Sequence, residues 1–529
     1  NGDHVVVLLD GIKIGSATLG ATAFEQIPLG QIERIEIVRG PRSSLYGSEA
    51  IGGVIQIFTR RGAAGESPTP SFAIGGGNHG SGSVEAGVHG GTGSRGWYRA
   101  GLSAQTTDNI DVKPLGTEHD RDGYRQAAVS FGGGWTFASG AELSATALRG
   151  EGRNEYDGTT TNESDNVQQV LGTRVRHAPL RPWLLTLTLG ESRDQSEAYH
   201  DPKVLSGGVL TDNRGSIETR RRSVSWQNDV QLSAQQTFST GIDFIRDQVG
   251  GSTDYAVRAR DNTGVFGQYR GGFGPADVQA SIRHDDNEQF GSHLTGGGAL
   301  GYRVGDALRL RSAYGSAFKA PSFNDLYFPN YGLPDLEPEQ SRSTEFGVSG
   351  QARARGGLLS YGLNGYRTSI DNLIAYNPAI LGPENIGKAR IEGIELQLHA
   401  LFETLSVQTL FNWLDPQNDN GDANDGNVLP RRAQRTARLD LDYTLTRLTL
   451  GFTVFGASDR YDDAANTKPL PGYATLALRA SWQLHPHWAL QLKSGNALDK
   501  DYETARGFAQ PDRSWFATLR YTPAATPAQ

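Results

Sequence analysis

From about Ser71 onward, apolar and polar residues alternate along the chain, and no helical period interrupts the alternation. In segment 473–484, for example, Leu478 and Trp482 fall on one face and Arg479 falls on the other. Because successive residues of a β-strand point to opposite faces, each such segment is predicted to be a strand with one apolar and one polar face. This pattern extends over more than four hundred residues and predicts an all-β chain.

Two further features favour a membrane barrel over a soluble sheet. Aromatic residues cluster towards the ends of the apolar faces, as in the interfacial girdles of outer-membrane barrels. Short connections such as 445–447 and 485–487 alternate with long polar ones such as 106–125 and 418–427, which is typical of the same class. A lipid-facing sheet must also close, because each unpaired backbone group in hydrocarbon costs several kcal/mol.

The alternatives to a strand-built membrane protein have less support. No apolar run approaches the length of about 18 residues that a transmembrane helix requires. A large soluble propeller or solenoid would show a fixed-period repeat, and the sequence has none. Divided among 22 strands, residues 63–529 give about 21 residues for each strand with its connection. Barrels of 16 or 18 strands stay open, and a 22-stranded barrel would be wide enough to need a plug.

Residues 1–62 have a different character. Val5–Leu9 is a continuous apolar strand that ends at the turn residues Asp10 and Gly11, and a second apolar stretch covers 32–38. A glycine-rich turn then leads into a third stretch at 50–57. This segment is predicted to be a small mixed α/β unit that is too small to hold a large core alone.

Composition excludes several functional classes. The formal net charge of -8 argues against a nucleic-acid partner. The chain has no cysteine, and therefore no disulfide framework, thiolate metal site or cysteine nucleophile. It also lacks GxSxG and HExxH motifs and any grouped Ser/His/Asp arrangement, so we do not expect an enzyme.

Several segments resemble the TonB-dependent outer-membrane receptors. LLDGIKI (8–14) and IERIEIVRGPRSSLYGSEAIGGVIQIFTRR (32–61) resemble the plug domain of that family. The later segments that resemble its barrel motifs, in the family's order, are YGSAFKAPSFNDLY (314–327), PDLEPEQSRSTEFGV (334–348), ARIEGIELQL (389–398) and NALDKDYE (496–503). Within the family, the likeness is closest to the cobalamin receptors.

The resemblance implies a 22-stranded antiparallel transmembrane β-barrel with an N-terminal α/β plug domain, in the outer membrane of a Gram-negative bacterium. Residues 1–62 would be the C-terminal part of the plug and residues 63–529 the barrel with long extracellular loops. The first part of the plug and the TonB box are expected upstream of Asn1, so the plug is expected to be incomplete in this chain.

The same resemblance implies TonB-dependent active import of cobalamin, with a ferric-siderophore receptor of the same fold as the alternative. The expected partners are cobalamin, TonB and outer-membrane lipid, and a surface lipoprotein that caps the barrel is left open. A general porin is less expected, because a plug inside the lumen argues against passive diffusion.

Three residues, here called the lock residues, are expected to form ion pairs that hold the plug in the barrel. Arg39 matches a plug arginine of the family, and Glu345 and Glu395 match barrel glutamates that pair with such arginines. In a wet lumen, each ion pair would contribute about 0–1 kcal/mol.

Substrate contacts are expected on the plug apex and on one long loop. Segment 16–24 takes the place of the family's apical plug loop, and its small residues would let a bulky flat ligand approach the backbone. The candidates there are Leu19, Gly20, Ala21 and Thr22, and those in loop 321–334 are Tyr327 and Tyr331. The tyrosines would serve cobalamin or a siderophore. Haem uptake is less expected, because no histidine lies between Phe318 and Leu336.

Two acidic loops suggest a cation site. Carboxylates on adjoining loops repel one another unless a cation neutralises them, and oxygen ligands without cysteine select a hard cation such as calcium. HDRDGY (119–124) resembles the calcium-ligating stretch of the cobalamin receptors. The candidate ligands are Asp111, Asp120, Asp122, Asp157 and Asp165. The Asp-rich segment 415–427 does not fit an EF-hand loop and is predicted to be an ordinary loop.

Overall fold

The computed structural model describes residues 2–523 apart from 117, 207–208, 306, 355 and 378–379. Its first unit contains four strands, β1 (Val5–Leu9), β2 (Ile12–Ile14), β3 (Ile32–Arg39) and β4 (Gly53–Thr59), and one short helix, α1 (Ser43–Tyr46). Three single-turn 3₁₀ helices cover Gly2–His4, Phe24–Gln26 and Leu29–Gln31. The sheet order is β2-β1-β4-β3, with β1 and β4 parallel and the other pairs antiparallel.

The remainder of the described chain is built almost entirely of strands, with one five-residue helix, α2 (Phe323–Tyr327). In chain order, these strands are β5 (Thr69–Gly77), β6 (Gly82–Thr92), β7 (Gly96–Thr107), β8 (Tyr124–Thr136), β9 (Glu142–Glu155), β10 (Glu163–Leu180), β11 (Trp183–Tyr199), β12 (Val204–Ser206), β13 (Val209–Thr211), β14 (Gly215–Ser233), β15 (Gln236–Gly251), β16 (Ala259–Phe273), β17 (Ala276–Asn287), β18 (Gly291–Val304), β19 (Leu308–Lys319), β20 (Glu339–Ala354), β21 (Gly357–Asn377), β22 (Gly382–Leu401), β23 (Leu405–Asn418), β24 (Arg435–Leu445), β25 (Leu448–Ala457), β26 (Arg460–Tyr461), β27 (Pro469–Leu470), β28 (Tyr473–His485), β29 (Trp488–Gly495), β30 (Glu503–Ala505), β31 (Phe508–Ala509) and β32 (Ser514–Tyr521).

Twenty-two of these strands form one closed antiparallel barrel, in which β32 pairs with β5. The pairs β12–β13, β26–β27 and β30–β31 are small hairpins within connecting loops. The predicted 22-stranded barrel is therefore confirmed. Closure leaves no unpaired sheet edge, which is the condition for a sheet that faces lipid.

The two rims of the barrel differ in the length of their connections. The connections 181–182, 234–235 and 274–275 are two-residue turns at one rim, and the connections 108–123, 320–338 and 419–434 are long loops at the other. Between the rims, apolar side chains such as Leu189, Trp226 and Leu478 are exposed on the outer wall. This asymmetry identifies the long-loop rim as the extracellular one.

No helix within the described part of the chain is long and apolar enough to cross a membrane.

The plug sheet packs into the barrel through a shared core. Val7, Leu9 and Ile12 of the plug form a buried cluster with Leu148 and Val170 of the barrel wall. Burial of each large aliphatic side chain favours this contact by about 1.5–3 kcal/mol. The plug is therefore held partly by apolar packing that depends on the close fit of its first hairpin.

Two glycines of the wall make that fit possible. A Cβ atom at Gly172 would lie 2.9 Å from Ile12, and one at Gly190 would lie 2.7 Å from it. These glycines are register partners on β10 and β11, so they form a shallow recess at one level of the wall. The side chain of Ile12 occupies this recess, which brings β2 against the barrel.

Candidate functional site

The predicted apical loop lies at the extracellular end of the plug. A turn within 16–24 is closed by hydrogen bonds from the Ser16 amide to the Ala21 carbonyl (2.8 Å) and from the Gly20 amide to the Ser16 carbonyl (2.9 Å). Gly20 has a φ of +73°, and a Cβ atom there would lie 2.8 Å from the Cβ of Asp3. The Leu19 side chain is 59% exposed. The loop thus turns tightly over Asp3 and presents Leu19–Thr22 to the vestibule.

The extracellular loop 320–338 faces the apical loop through helix α2. Ser322 caps α2 in a capping box with Asp325, which fixes the start of the helix. The Tyr327 hydroxyl contacts Gln289 Nε2 at 2.5 Å, and the ring of Tyr331 stacks on Tyr376 with centroids 6.4 Å apart. Both predicted tyrosines therefore belong to an aromatic wall beside the plug apex.

The apical loop and α2 touch directly. The Phe323 amide donates to the Ala17 carbonyl at 3.0 Å, and Phe323 and Ala17 belong to one buried cluster with Tyr255. Small plug residues on one side and aromatic residues on the other create a surface suited to a large, flat, partly apolar ligand.

The three predicted lock residues lie close together, but they do not form one set of pairs. Arg39 donates to the Glu395 carboxylate. Glu345 instead pairs with Arg311 of the barrel, at 3.2 Å, and its carboxylate lies against Gly40. The Arg39 side chain is 56% exposed, so its ion pair is solvated and contributes about 0–1 kcal/mol.

Two buried polar clusters that the sequence analysis did not identify also join the plug to the barrel. In the first, the Asp10 carboxylate accepts hydrogen bonds from the Thr59 amide (3.0 Å), Arg99 (3.2 Å) and Thr146 (3.1 Å). Asp10 and Arg99 are both buried. In the sequence, Asp10 is recognisable only as part of the turn dipeptide Asp10-Gly11. That pattern indicates neither that the carboxylate is buried nor which residues it contacts.

The second cluster surrounds Lys13. The Lys13 ammonium lies 3.1 Å from the Glu49 carboxylate, which also faces Arg221 at 3.5 Å. Arg221 makes a bidentate pair with Asp247, at 2.6 and 3.2 Å. Burial lowers the pKa of Lys13, and the neighbouring Glu49 opposes that shift. Complementary charges therefore offset part of the desolvation of Lys13.

Three of the five predicted cation ligands converge. Oxygens of Asp111, Asp122 and Asp157 all lie within 4.8 Å of one another. Asp120 is an exposed residue outside this group, and Asp165 lies 3.0 Å from Arg153. One oxygen of Asp111 and both carboxylate oxygens of Asp157 are buried without a hydrogen-bond partner in the described part of the chain.

The carboxylates of this group outnumber the one ammonium beside them, that of Lys113, which donates to the Asp157 carbonyl at 3.0 Å. Burial, together with the nearby carboxylates of Asp157, Asp120 and Asp111, raises the pKa of Asp122 to about 6, although the Val112 amide donates to it and opposes the shift. Burial also raises the pKa of Asp157, as do Asp111 and Glu118. Lys113 opposes the shift at Asp157 without cancelling it, and a cluster of oxygen donors with excess negative charge fits a hard metal ion such as calcium.

Two family descriptions match this architecture. The TonB-dependent receptor plug domain matches residues 1–54, and the TonB-dependent receptor-like β-barrel matches residues 83–497. The chain belongs to the TonB-dependent receptor family. It therefore lies in the bacterial outer membrane, and its matched relatives are receptors and transporters.

Individual relatives narrow the comparison. The chain is 32% identical to the vitamin B12 transporter BtuB of Photobacterium profundum and 31% identical to that of Vibrio vulnificus. Each match covers 98% of this chain and 84% of the relative. These identities confirm the predicted resemblance to the cobalamin receptors.

Solved structures support the fold. A mutant of the ferric enterobactin receptor PfeA from Pseudomonas aeruginosa matches with a TM-score of 0.83 at 17% identity, covering 98% of this chain and 90% of that one. The copper transporter OprC matches with a TM-score of 0.84 at 15% identity, covering 99% and 92%. At such low identity these neighbours establish the architecture and carry no information on the substrate.

Burial predicts that the two kinds of plug–barrel contact differ in strength. Asp10→Asn should lower the free energy of plug unfolding by about 3 kcal/mol or more, because it leaves the buried Arg99 without its charge partner. Glu395→Gln should lower it by less than about 1 kcal/mol, because Arg39 is solvated. Urea titration of the intact protein, followed by a fluorophore on the plug variant Glu33→Cys, measures both. Equal effects would contradict this assignment.

Proposed function

We propose that this protein imports cobalamin across the outer membrane by TonB-dependent transport. The observation that carries the proposal is the identity of 31–32% over 98% of the chain to transporters named for vitamin B12. The site geometry supports it, because the small plug apex at Leu19–Thr22 lies beside an aromatic wall.

The contacts between plug and barrel in the lumen explain why transport would need an energy source. The plug packs into the wall at Ile12 and is joined to it by two buried clusters, through Asp10 with Arg99 and through Glu49, the partner of Lys13, with Arg221. A ligand as large as cobalamin cannot pass until part of that contact is rearranged. TonB, acting on the plug from the periplasm, would supply the work, and the extracellular site would select the substrate. Outer-membrane lipid would cover the exposed apolar belt of the barrel.

The second candidate function is ferric-siderophore uptake. Tyr327 and Tyr331 could contact either class of ligand, and solved siderophore receptors share this architecture. Their identity to this chain, 17%, supports the fold alone. Cobalamin is therefore the first ligand to test, and siderophores are the comparison.

We also propose calcium as a structural ion of the extracellular loops. Asp111, Asp122 and Asp157 would hold it, since their oxygens converge and several of them lack partners. When bound, a divalent cation would supply the positive charge that three close carboxylates require. It would thereby join the loop 108–123 to the loop that follows β9 and would fix one wall of the vestibule.

Direct binding tests the substrate. Isothermal calorimetry on the detergent-purified protein should show saturable binding of cyanocobalamin and no binding of a panel of ferric siderophores. Small residues at the plug apex and an aromatic wall favour the flat corrin ring. Saturable binding of a siderophore in place of cyanocobalamin would transfer the assignment to the second candidate.

A matched pair of variants tests the cation. Calcium should raise the affinity for cyanocobalamin by about tenfold, within the usual range for coupled ligands, and Asp157→Asn should remove that increase. Asp425→Asn, in the acidic loop 419–434, should retain it, because Asp425 lies outside the converging group. Calorimetry with calcium and then with chelator measures the effect. A calcium response that survives in Asp157→Asn would exclude this site.

A further inference from the structure

Residues 318–324, here called the strap, run from the last two residues of strand β19 to the first two residues of helix α2 and lie against the plug. At the start of the strap, the Glu49 amide donates to the Phe318 carbonyl at 3.1 Å. Further along, the Ala320 amide donates to Ser48 Oγ at 3.2 Å. The strap is therefore attached to the plug segment that follows α1.

The far end of the strap is attached to the apical loop. The Phe323 amide donates to the Ala17 carbonyl at 3.0 Å, and the Asn324 amide donates to the Thr18 carbonyl at 3.2 Å. These bonds use backbone groups on both sides, so they depend on the position of the plug and little on side-chain identity. The strap thus spans two separate parts of the plug.

Lys319 anchors the first part of the strap. Its ammonium lies 3.0 Å from Asp3 of the plug and 3.3 Å from Glu339 of β20, and Lys319 and Glu339 are almost fully buried. His4 of the plug reaches the second oxygen of Glu339 at 2.6 Å. One buried ammonium therefore links a partly exposed plug carboxylate to a buried barrel carboxylate, and its loss would leave the Glu339 charge buried with only His4 beside it.

The plug backbone is strained where it meets the strap. Glu49 has a φ of +82°, a conformation that side-chain-bearing residues rarely adopt. Its amide bonds the strap, and its carboxylate faces Lys13 and Arg221. A strained residue persists where its surroundings hold it, and such residues concentrate at switch regions.

The strap also adjoins both sets of candidate substrate residues. Thr18 is followed directly by Leu19–Thr22, and the strap continues into α2, which ends at Tyr327. A ligand that touches the apical loop and the aromatic wall together would sit at the joint between strap and plug. It would therefore act on the hydrogen bonds that hold the two together.

We propose that the strap is the element that couples substrate binding to release of the plug, and that Lys319 is its positioning residue. This inference rests on the proposed function. Substrate seated between the apical loop and α2 loosens the contact of the strap with Ala17, Thr18 and Ser48. The plug then loses its attachment at the extracellular end, while the contacts of Asp10 persist until TonB acts.

The first test uses a disulfide across the strap. The chain has no native cysteine, so Ser48→Cys with Ala320→Cys supplies the only thiols. The control pair is Ser44→Cys with Ser281→Cys, whose native hydroxyls lie 2.9 Å apart across another plug–barrel contact. Gel mobility before and after reduction reports the cross-link, and binding and cellular uptake of labelled cyanocobalamin are measured in both states.

The oxidised strap pair should lose uptake and bind cyanocobalamin at least about fivefold more weakly, with both restored by reduction. The oxidised control pair should bind as the reduced form does. Unchanged uptake and affinity in the oxidised strap pair would overturn the proposal, and so would equal effects of the two cross-links on affinity, since either cross-link can block uptake by holding the plug. Failure of the unmodified protein to bind cyanocobalamin would instead overturn the proposed function.

A second variant needs no cross-link. Lys319→Met combined with Glu339→Gln removes the ammonium together with one of its two carboxylates and leaves Asp3 beside His4. Because coupling is reciprocal, a weakened strap should raise the affinity for cyanocobalamin, by about fivefold, while uptake falls. Simple structural damage would lower both. An unchanged or lowered affinity in this variant would overturn the role of Lys319.

Discussion

Closure of the sheet is the constraint on which this structure depends. Hydrocarbon offers no partner to backbone N–H and C=O groups, so the 22 strands must pair in a ring from β5 to β32. A ring of that size leaves a wide lumen. The apolar face of each strand must turn outward, and the lumen wall is consequently polar. The plug therefore has to bind a polar surface, which explains why so many of its contacts are ionic.

These contacts differ in strength according to burial. The solvated pair of Arg39 and Glu395 holds the plug weakly, whereas the buried clusters of Asp10 and Lys319 cannot open without exposing unpaired charge. Ile12 also packs into the recess at the two wall glycines, so shape complementarity adds to the ionic contacts. The strongest contacts lie at opposite ends of the plug, one towards the periplasm and one beneath the substrate loops. This arrangement suits a plug that is released in stages.

Much of the fold could be predicted from the sequence, because strand alternation and loop asymmetry are local patterns. The contact between Arg39 and Glu395 agrees with the expectation from family motifs, and convergence of Asp111, Asp122 and Asp157 agrees with adjoining acidic loops. The partner of Glu345, and the buried environments of Asp10 and Lys319, could not be predicted. They join residues far apart in the chain, and those pairings depend on the register and tilt of the closed barrel. Side-chain type alone does not reveal burial.

We propose that the barrel imports cobalamin under the control of TonB. The most direct measurement is uptake of radiolabelled cyanocobalamin by cells that lack their own cobalamin receptor and express the full-length protein, with and without TonB. We expect accumulation that requires both proteins, with surface binding retained when TonB is absent. Accumulation that is independent of TonB, or no accumulation despite a correctly inserted barrel, would contradict it.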